Sequence, residues 1–252
     1  MALDVHLFPC LSDNYGILIR DQATGDAATV DTPDAAAILE QVARLGWRLT
    51  TILNTHWHPD HAGGNQAVQQ ATGAVIFGPS EVTRIAPLDR TVVEGDEVML
   101  GQTRLTVIDT QGHTNGHVSF YSAQDGMVFV GDTLFALGCG RLFEGTPDAM
   151  WASLAKLAAL PDETLVYCAH EYTASNARFA LSVDKDPAVI SRCAEVFALR
   201  ERGEPTVPTT IGAEKAANPF LRAPQIAAPL GEFSSDAEAF GLVRAAKDNY
   251  RG

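Results

Sequence analysis

The sequence predicts an α/β protein with a β-rich part running to residue 171 and a smaller helical part over 172–252. Three observations predict it. Short apolar runs alternate with helix signatures over residues 3–77. From Glu97 to Val130 the apolar period changes to two. From Tyr172 the β signal fades, and composition and charge change at the same place.

Residues 3–8 and 15–20 read as strands around the polar link Ser12-Asp13-Asn14. A third short run, Ala27–Val30, ends at Asp31. Thr32-Pro33 then reads as an N-cap with proline at the first helical position, and Ile38, Val42 and Leu45 follow at helical spacing until Gly46 closes the helix. A strand over 50–54 leads into a histidine-rich stretch. Asn65–Ala71 reads as helix and Val75–Phe77 as a buried strand. Val98/Leu100, Leu105/Val107, Val118/Phe120 and Val128/Val130 alternate with polar residues, with Asp125-Gly126 as a hairpin turn. Thr146-Pro147 caps an amphipathic helix through Met150, Leu154 and Leu157, and 165–168 is a last short strand. Residues 172–182 and 187–202 read as helices. A proline-rich segment joins them to a final helix, opened by a Ser235/Glu238 capping box, on which Arg244 and Lys247 share a face.

The net charge of −13 lies wholly in residues 1–171, which carry eight Lys/Arg against twenty-one Asp/Glu; residues 172–252 hold ten of each. Such acidity argues against nucleic acid and against an anionic membrane surface, because both are bound mainly by neutralising phosphates. No apolar run is long enough to span a bilayer. The stretch Met1–His6 lacks the basic, apolar and small-residue pattern of an export signal. Cys10, Cys139, Cys168 and Cys193 form no Cys-x-x-Cys pair, so reduced thiols and a cytoplasmic setting are expected.

The chemistry concentrates in Thr55-His56-Trp57-His58-Pro59-Asp60-His61, which holds three of the seven histidines. A lone histidine is more often a packed residue than a ligand. Three imidazoles and a carboxylate in six residues, between a strand and a glycine-rich turn, are ligand types suited to borderline divalent metals. His56 and His58, two apart on an extended segment, point the same way and suit one ion. Pro59 bars the segment from simply continuing as strand or helix, so Asp60 and His61 can turn toward a second. Thr110–His117, Gly131-Asp132-Thr133 and Ala169-His170-Glu171 each follow a strand end, where α/β proteins collect ligands. Each is weak alone, and together they supply five histidines and two aspartates for two metal sites, without choosing between His113 and His117. Two ions activating a water imply hydrolysis.

These motifs resemble the metallo-β-lactamase superfamily and, more narrowly, its glyoxalase II (hydroxyacylglutathione hydrolase) family. The resemblance runs through Asp13-Asn14-Tyr15, the Thr-His-x-His-x-Asp-His cluster, Gly112-His113-Thr114-x-Gly116-His117, Gly131–Phe135 and Gly138–Gly145. It continues in His170-Glu171-Tyr172-Thr173, Asn218–Arg222 and Arg244-x-x-Lys247-Asp248. The resemblance implies an αββα sandwich followed by a small helical domain. It implies His56, His58 and His113 on one ion, Asp60, His61 and His170 on another, and Asp132 bridging, with His117 a strand residue. Zinc is the implied metal, with iron or manganese as alternatives. The implied substrate is S-lactoylglutathione, cleaved to glutathione and D-lactate with Asp60 and Asp132 at the reacting water; a monomer is expected. Arg141, Phe143, Tyr172, Arg244 and Lys247 match the family's glutathione-binding positions. Guanidinium, ammonium and phenol donors suit its two carboxylates. Two positions depart from the family: Trp57 stands where a histidine is usual, and Phe143 where tyrosine is common.

On spacing alone, Arg244 and Lys247 are more simply a solvated helix face. Rival readings are a mono-iron persulfide dioxygenase of the same fold and a non-catalytic metal- or thiol-binding module. A β-lactamase would carry an export signal and a cysteine near Asp132, and an RNA-processing nuclease is opposed by the charge.

Overall fold

In the computed structural model, residues 3–252 are described; Met1 and Ala2, which open the segment read above for an export signal, lie outside the described residues. The chain forms two compact units. One holds the residues up to Asp109 together with Gly116–Gly131, the other Thr110–Asn115 together with Asp132–Gly252.

The first unit is built on β1 (Leu3–Cys10), β2 (Asn14–Asp21), β3 (Asp26–Val30), β4 (Arg48–Leu53), β5 (Val75–Gly78) and β6 (Arg90–Thr91). They lie side by side in that order, the first three antiparallel and the rest parallel. The parallel steps need crossovers, supplied by α1 (Ala35–Leu45), by α2 (Pro59–Ala62) with α3 (Asn65–Thr72), and before β6 by a connection holding a 3₁₀ turn at Ser80–Arg84. Ile38 of α1 and Val68 of α3 pack on Ile52 and Ile76 of the sheet, all fully buried. The period-two stretch forms an antiparallel meander of β7 (Glu97–Leu100), β8 (Thr103–Asp109), β9 (Val118–Ser122) and β10 (Met127–Gly131). Val98, Leu100, Leu105 and Val107 face inward, as alternation requires. Thr103 Oγ1 donates to buried Asp21 Oδ2 (2.7 Å), tying the start of β8 to the end of β2.

The second unit opens with a two-strand hairpin, β11 (Leu134–Phe135) and β12 (Gly138–Cys139), followed by α4 (Pro147–Ala158) and β13 (Leu165–Cys168). The helices α5 (Thr173–Val183) and α6 (Pro187–Glu201) come next. β14 (Thr209–Thr210) pairs antiparallel with β13, and α7 (Ile211–Ala217), α8 (Ala223–Ile226) and α9 (Asp236–Asn249) complete the unit. Ala177 and Ala180 of α5 and Val189, Cys193 and Val196 of α6 share a core with Leu137 of the hairpin. Among the described residues no helix is long and apolar enough to cross a membrane.

Several caps follow the sequence: Thr146 Oγ1 accepts from Ala149 N, Gly46 takes a left-handed φ of 65°, and Ser235 Oγ accepts from Glu238 N. Others differ. The first helix is capped by Asp34, not Thr32, because the Thr32 hydroxyl donates to Asn65 Oδ1 (2.7 Å) and its backbone N–H to His61 O. Glu238 returns its carboxylate to Ser234 rather than to Ser235, shifting the capping box by one residue. Pro59 does not end regular structure but begins the one-turn α2, where a missing N–H costs nothing. The proline-rich segment contains α7 and α8, and Val75 is exposed while Ile76 is buried.

Candidate metal centre and adjoining pocket

In the first unit the ligand-type residues leave the C-terminal end of β4. Buried Asp31, at the end of neighbouring β3, accepts from Thr55 N at Oδ1 (2.8 Å) and from the Thr55 hydroxyl at Oδ2 (2.8 Å). With its proton committed there, the Thr55 oxygen is left to accept from His56 Nδ1 (3.0 Å). His61 Nδ1 lies 2.8 Å from Asp31 Oδ2. Both rings therefore carry their proton on Nδ1 and present the lone pair on Nε2, the orienting device common behind metal-bound histidines. His56 Nε2 is 3.0 Å from His58 Nδ1, and His61 Nε2 is 3.6 Å from Asp60 Oδ2. Asn14 Nδ2 donates to that same Asp60 oxygen (3.1 Å). Trp57 meets the His58 ring edge-on at 4.9 Å and carries the Arg84 guanidinium 4.9 Å above its own ring. His117 is buried just ahead of β9 and stacks on His56, with centroids 4.8 Å apart.

In the second unit His113 Nδ1 donates to the Arg141 carbonyl (2.8 Å), which fixes its lone pair on Nε2 as well. That nitrogen is 3.3 Å from Asp132 Oδ2, and His170 Nε2 is 3.4 Å from Asp132 Oδ1. An imidazole lone pair facing a carboxylate oxygen at this range needs a cation between them, a proton or a metal ion. The donor set thus fits a borderline divalent metal. Gly140 permits the arrangement, since a Cβ there would lie 2.0 Å from the Asp132 carbonyl oxygen. The ligand-type residues gather within each unit: His56, His58, Asp60 and His61 in the first, and His113, Asp132 and His170 in the second.

His113 and Asp132 also line a pocket of about 470 Å³ within the second unit, shared with Arg141, Tyr172, Arg244 and Lys247. The volume suits a small-molecule site. Tyr172 stacks flat on His170 (4.7 Å, 4°), and Phe143, largely exposed, meets the His113 ring edge-on at 5.2 Å. Arg244 is not a solvated helix residue: it is 5% exposed. Its Nη1 donates to Cys139 O (3.2 Å), its Nη2 to Asp248 (2.7 Å), and its guanidinium covers the Phe220 ring. Lys247 Nζ donates to Ser175 O and Oγ (3.2 and 3.3 Å). Burial, then the charges of Arg244 and Arg141, push its amine down to about 8. Burial pushes the Cys139 thiol up to about 11, leaving no thiolate for nucleophilic work.

Sequence reasoning passed over two residues. The sequence shows Asp31 only as a strand terminus, although an aspartate ending a strand beside the cluster repeats the pattern of Asp132. Its positive φ (60°) is a conformation that aspartate tolerates better than most residues. Asn14 stands in the Asp13-Asn14-Tyr15 motif, and only the fold brings its amide to Asp60.

Residues 24–170 match the model of the metallo-beta-lactamase superfamily, and residues 171–250 that of the hydroxyacylglutathione hydrolase C-terminus. The hydroxyacylglutathione hydrolase of Maricaulis maris (strain MCS10) is 56% identical over 98% of each chain. The protein of the same name from Erythrobacter litoralis (strain HTCC2594) is 51% identical over 98% of this chain and 100% of its own. The chain belongs to the hydroxyacylglutathione hydrolase family of the metallo-beta-lactamase superfamily. Among solved structures, ETHE1 from Myxococcus xanthus superposes with a TM-score of 0.68 at 28% identity, covering 96% of this chain and 90% of that one. The superfamily fold, with its added helical C-terminal segment, is the one predicted from sequence.

Proposed function

We propose that the chain is a binuclear-metal thioesterase that hydrolyses S-(2-hydroxyacyl)glutathione, S-D-lactoylglutathione in particular, to glutathione and a 2-hydroxy acid. This is the second step of methylglyoxal detoxification. The observation that carries the reading is the pocket in which ligand-type His113 and Asp132 adjoin the cationic Arg141, Arg244 and Lys247. Relatives more than half identical over nearly the whole chain bear the hydrolase name. Residues 1–171 form the catalytic part in this reading, and 172–252 complete the substrate site. A monomer suffices in this reading, since every group invoked belongs to one chain, and the free cysteines Cys10, Cys139, Cys168 and Cys193 suit the cytoplasm.

One ion is assigned to His56, His58 and His113 and a second to Asp60, His61 and His170, with Asp132 shared; zinc suits these donors best, and iron or manganese also fit. When bound, such a pair supplies a water of lowered pKa and a Lewis acid for the carbonyl oxygen. The protein's own groups do the rest. Arg141, Arg244, Lys247 and the Tyr172 hydroxyl hold the glutathione carboxylates. Phe143 offers its ring edge at the mouth, with one hydrogen bond fewer than a tyrosine. Asn14 fixes the Asp60 carboxylate, which orients the water. The water oxygen bonds to the acyl carbon, the C–S bond breaks, and the departing sulfur takes up a proton. Cys139 takes no part.

The test supplies the metal-loaded protein with S-D-lactoylglutathione and follows loss of the thioester. The expected result is release of glutathione and D-lactate in equal amounts. An intact thioester, or oxygen uptake on glutathione persulfide with one iron per chain, would contradict the reading.

A further inference from the structure

The hairpin β11–β12 joins the two parts of the proposed site. It begins after Asp132, ends before Arg141, and contributes Phe135 and Cys139 to the pocket wall. Its base is tied by the Thr133 hydroxyl donating to Thr110 O (3.0 Å) and by Gly140 N donating to Thr133 O (3.2 Å). Its tip is held differently. Leu137 has a φ of 55°, in the left-handed region that a leucine rarely adopts. The backbone groups around it go to side chains of the helical segment. Leu137 N donates to Glu214 Oε2 (2.8 Å), Ala136 O accepts from Asn176 Nδ2 (3.1 Å), and Asn218 Nδ2 serves both Phe135 O (3.1 Å) and Gly138 O (2.9 Å).

Glu214 is the centre of this network and is completely buried. Besides Leu137, it accepts from Asn218 Nδ2 (2.9 Å) and from the Thr209 hydroxyl (2.7 Å). Phe220 N donates to Asn218 Oδ1 (3.0 Å), so the Asn218 amide can face Glu214 and the hairpin only with its NH₂ end. Every partner of the carboxylate is therefore a donor. Burial pushes its pKa up, an expense that a residue serving packing alone would avoid.

We infer that Glu214 is a positioning residue for substrate recognition: by accepting from Leu137 and Asn218 it sets the hairpin that carries Phe135 and leads into Arg141. The inference rests on the glutathione-thioester reading. Because the hairpin base is tied independently of Glu214, displacement at the tip falls on the pocket wall and spares Asp132.

The test compares Glu214→Met, which fills the space but accepts no hydrogen bond, with Glu214→Gln, whose carbonyl can still accept from Leu137 and Asn218. For Glu214→Met, misplacement of the wall should raise KM, and Kd for S-methylglutathione by calorimetry, about tenfold or more. Its kcat and metal content should stay within about twofold of wild type. Glu214→Gln should restore both constants. Should Glu214→Met fail to fold, Thr209→Val removes one donor from the carboxylate and should raise Kd about two- to threefold. Hydrogen exchange over residues 134–141 reads the hairpin without ligand: faster in Glu214→Met, unchanged in Glu214→Gln, whether or not the wild type cleaves the thioester. Unaltered Kd and exchange in folded Glu214→Met, with only Tm lowered, would overturn the inference. So would Glu214→Gln as impaired as Glu214→Met.

Discussion

Asp31 sets two imidazoles at once, His61 directly and His56 through the Thr55 hydroxyl. Asparagine keeps its size and tolerates its left-handed backbone but can no longer accept from both sides. Asp31→Asn is therefore expected to lose metal affinity by about 10–100-fold, measured by competition with a chelator, while circular dichroism stays native. Lys247 gives a second prediction at this scale. Burial and the neighbouring Arg244, Arg141 and Arg178 hold its amine near 8, so the free protein sheds that charge as pH rises through this value. A bound carboxylate favours the charged form, so affinity must fall with rising pH. KM for the thioester should climb between pH 7 and 9 in the wild type and stay flat over that range in Lys247→Arg, whose guanidinium does not titrate there.

At the scale of the element, Gly140 is where the hairpin returns against its own start, so close that a methyl group would lie 2.0 Å from the Asp132 carbonyl oxygen. The obstacle is backbone and cannot rotate away. Gly140→Ala is expected to displace Asp132 or Arg141, with loss of bound metal and at least a hundredfold fall in kcat/KM; normal metal content and activity would show that the hairpin bends freely. The longer elements were legible in the sequence because burial imposes a period: Val98 to Val107 alternate, and Ile38, Val42 and Leu45 recur at helical spacing. The β11–β12 hairpin was not, since its two-residue strands are too short to show a period and its shape depends on Glu214 and Asn218, 77 and 80 residues away in sequence. Thr32 was misread for a related reason: its cap signature is genuine, but tertiary partners at Asn65 and His61 claim it.

Across the whole molecule, the negative charge of residues 1–171 contrasts with the cations lining one pocket, Arg141, Arg244, Lys247 and Arg251. The metal-ligand candidates were legible because each lies in a segment that follows a strand's end, where residue type and position agree. The pocket was less so. Arg141, Tyr172, Arg244 and Lys247 come from widely separated stretches, and spacing suggests a solvated face for an arginine that is in truth buried over Phe220. Under the proposed function, the His/Asp groups of this chain hold two ions that cleave a glutathione thioester. The most direct measurement strips the protein with a chelator and titrates Zn²⁺ back while following both binding and hydrolysis of S-D-lactoylglutathione. The metal-free protein is expected to be inactive, binding to saturate at two ions per chain, and activity to be complete only when the second is bound. Full thioesterase activity in the metal-free protein, or saturation at a single ion, would contradict that function.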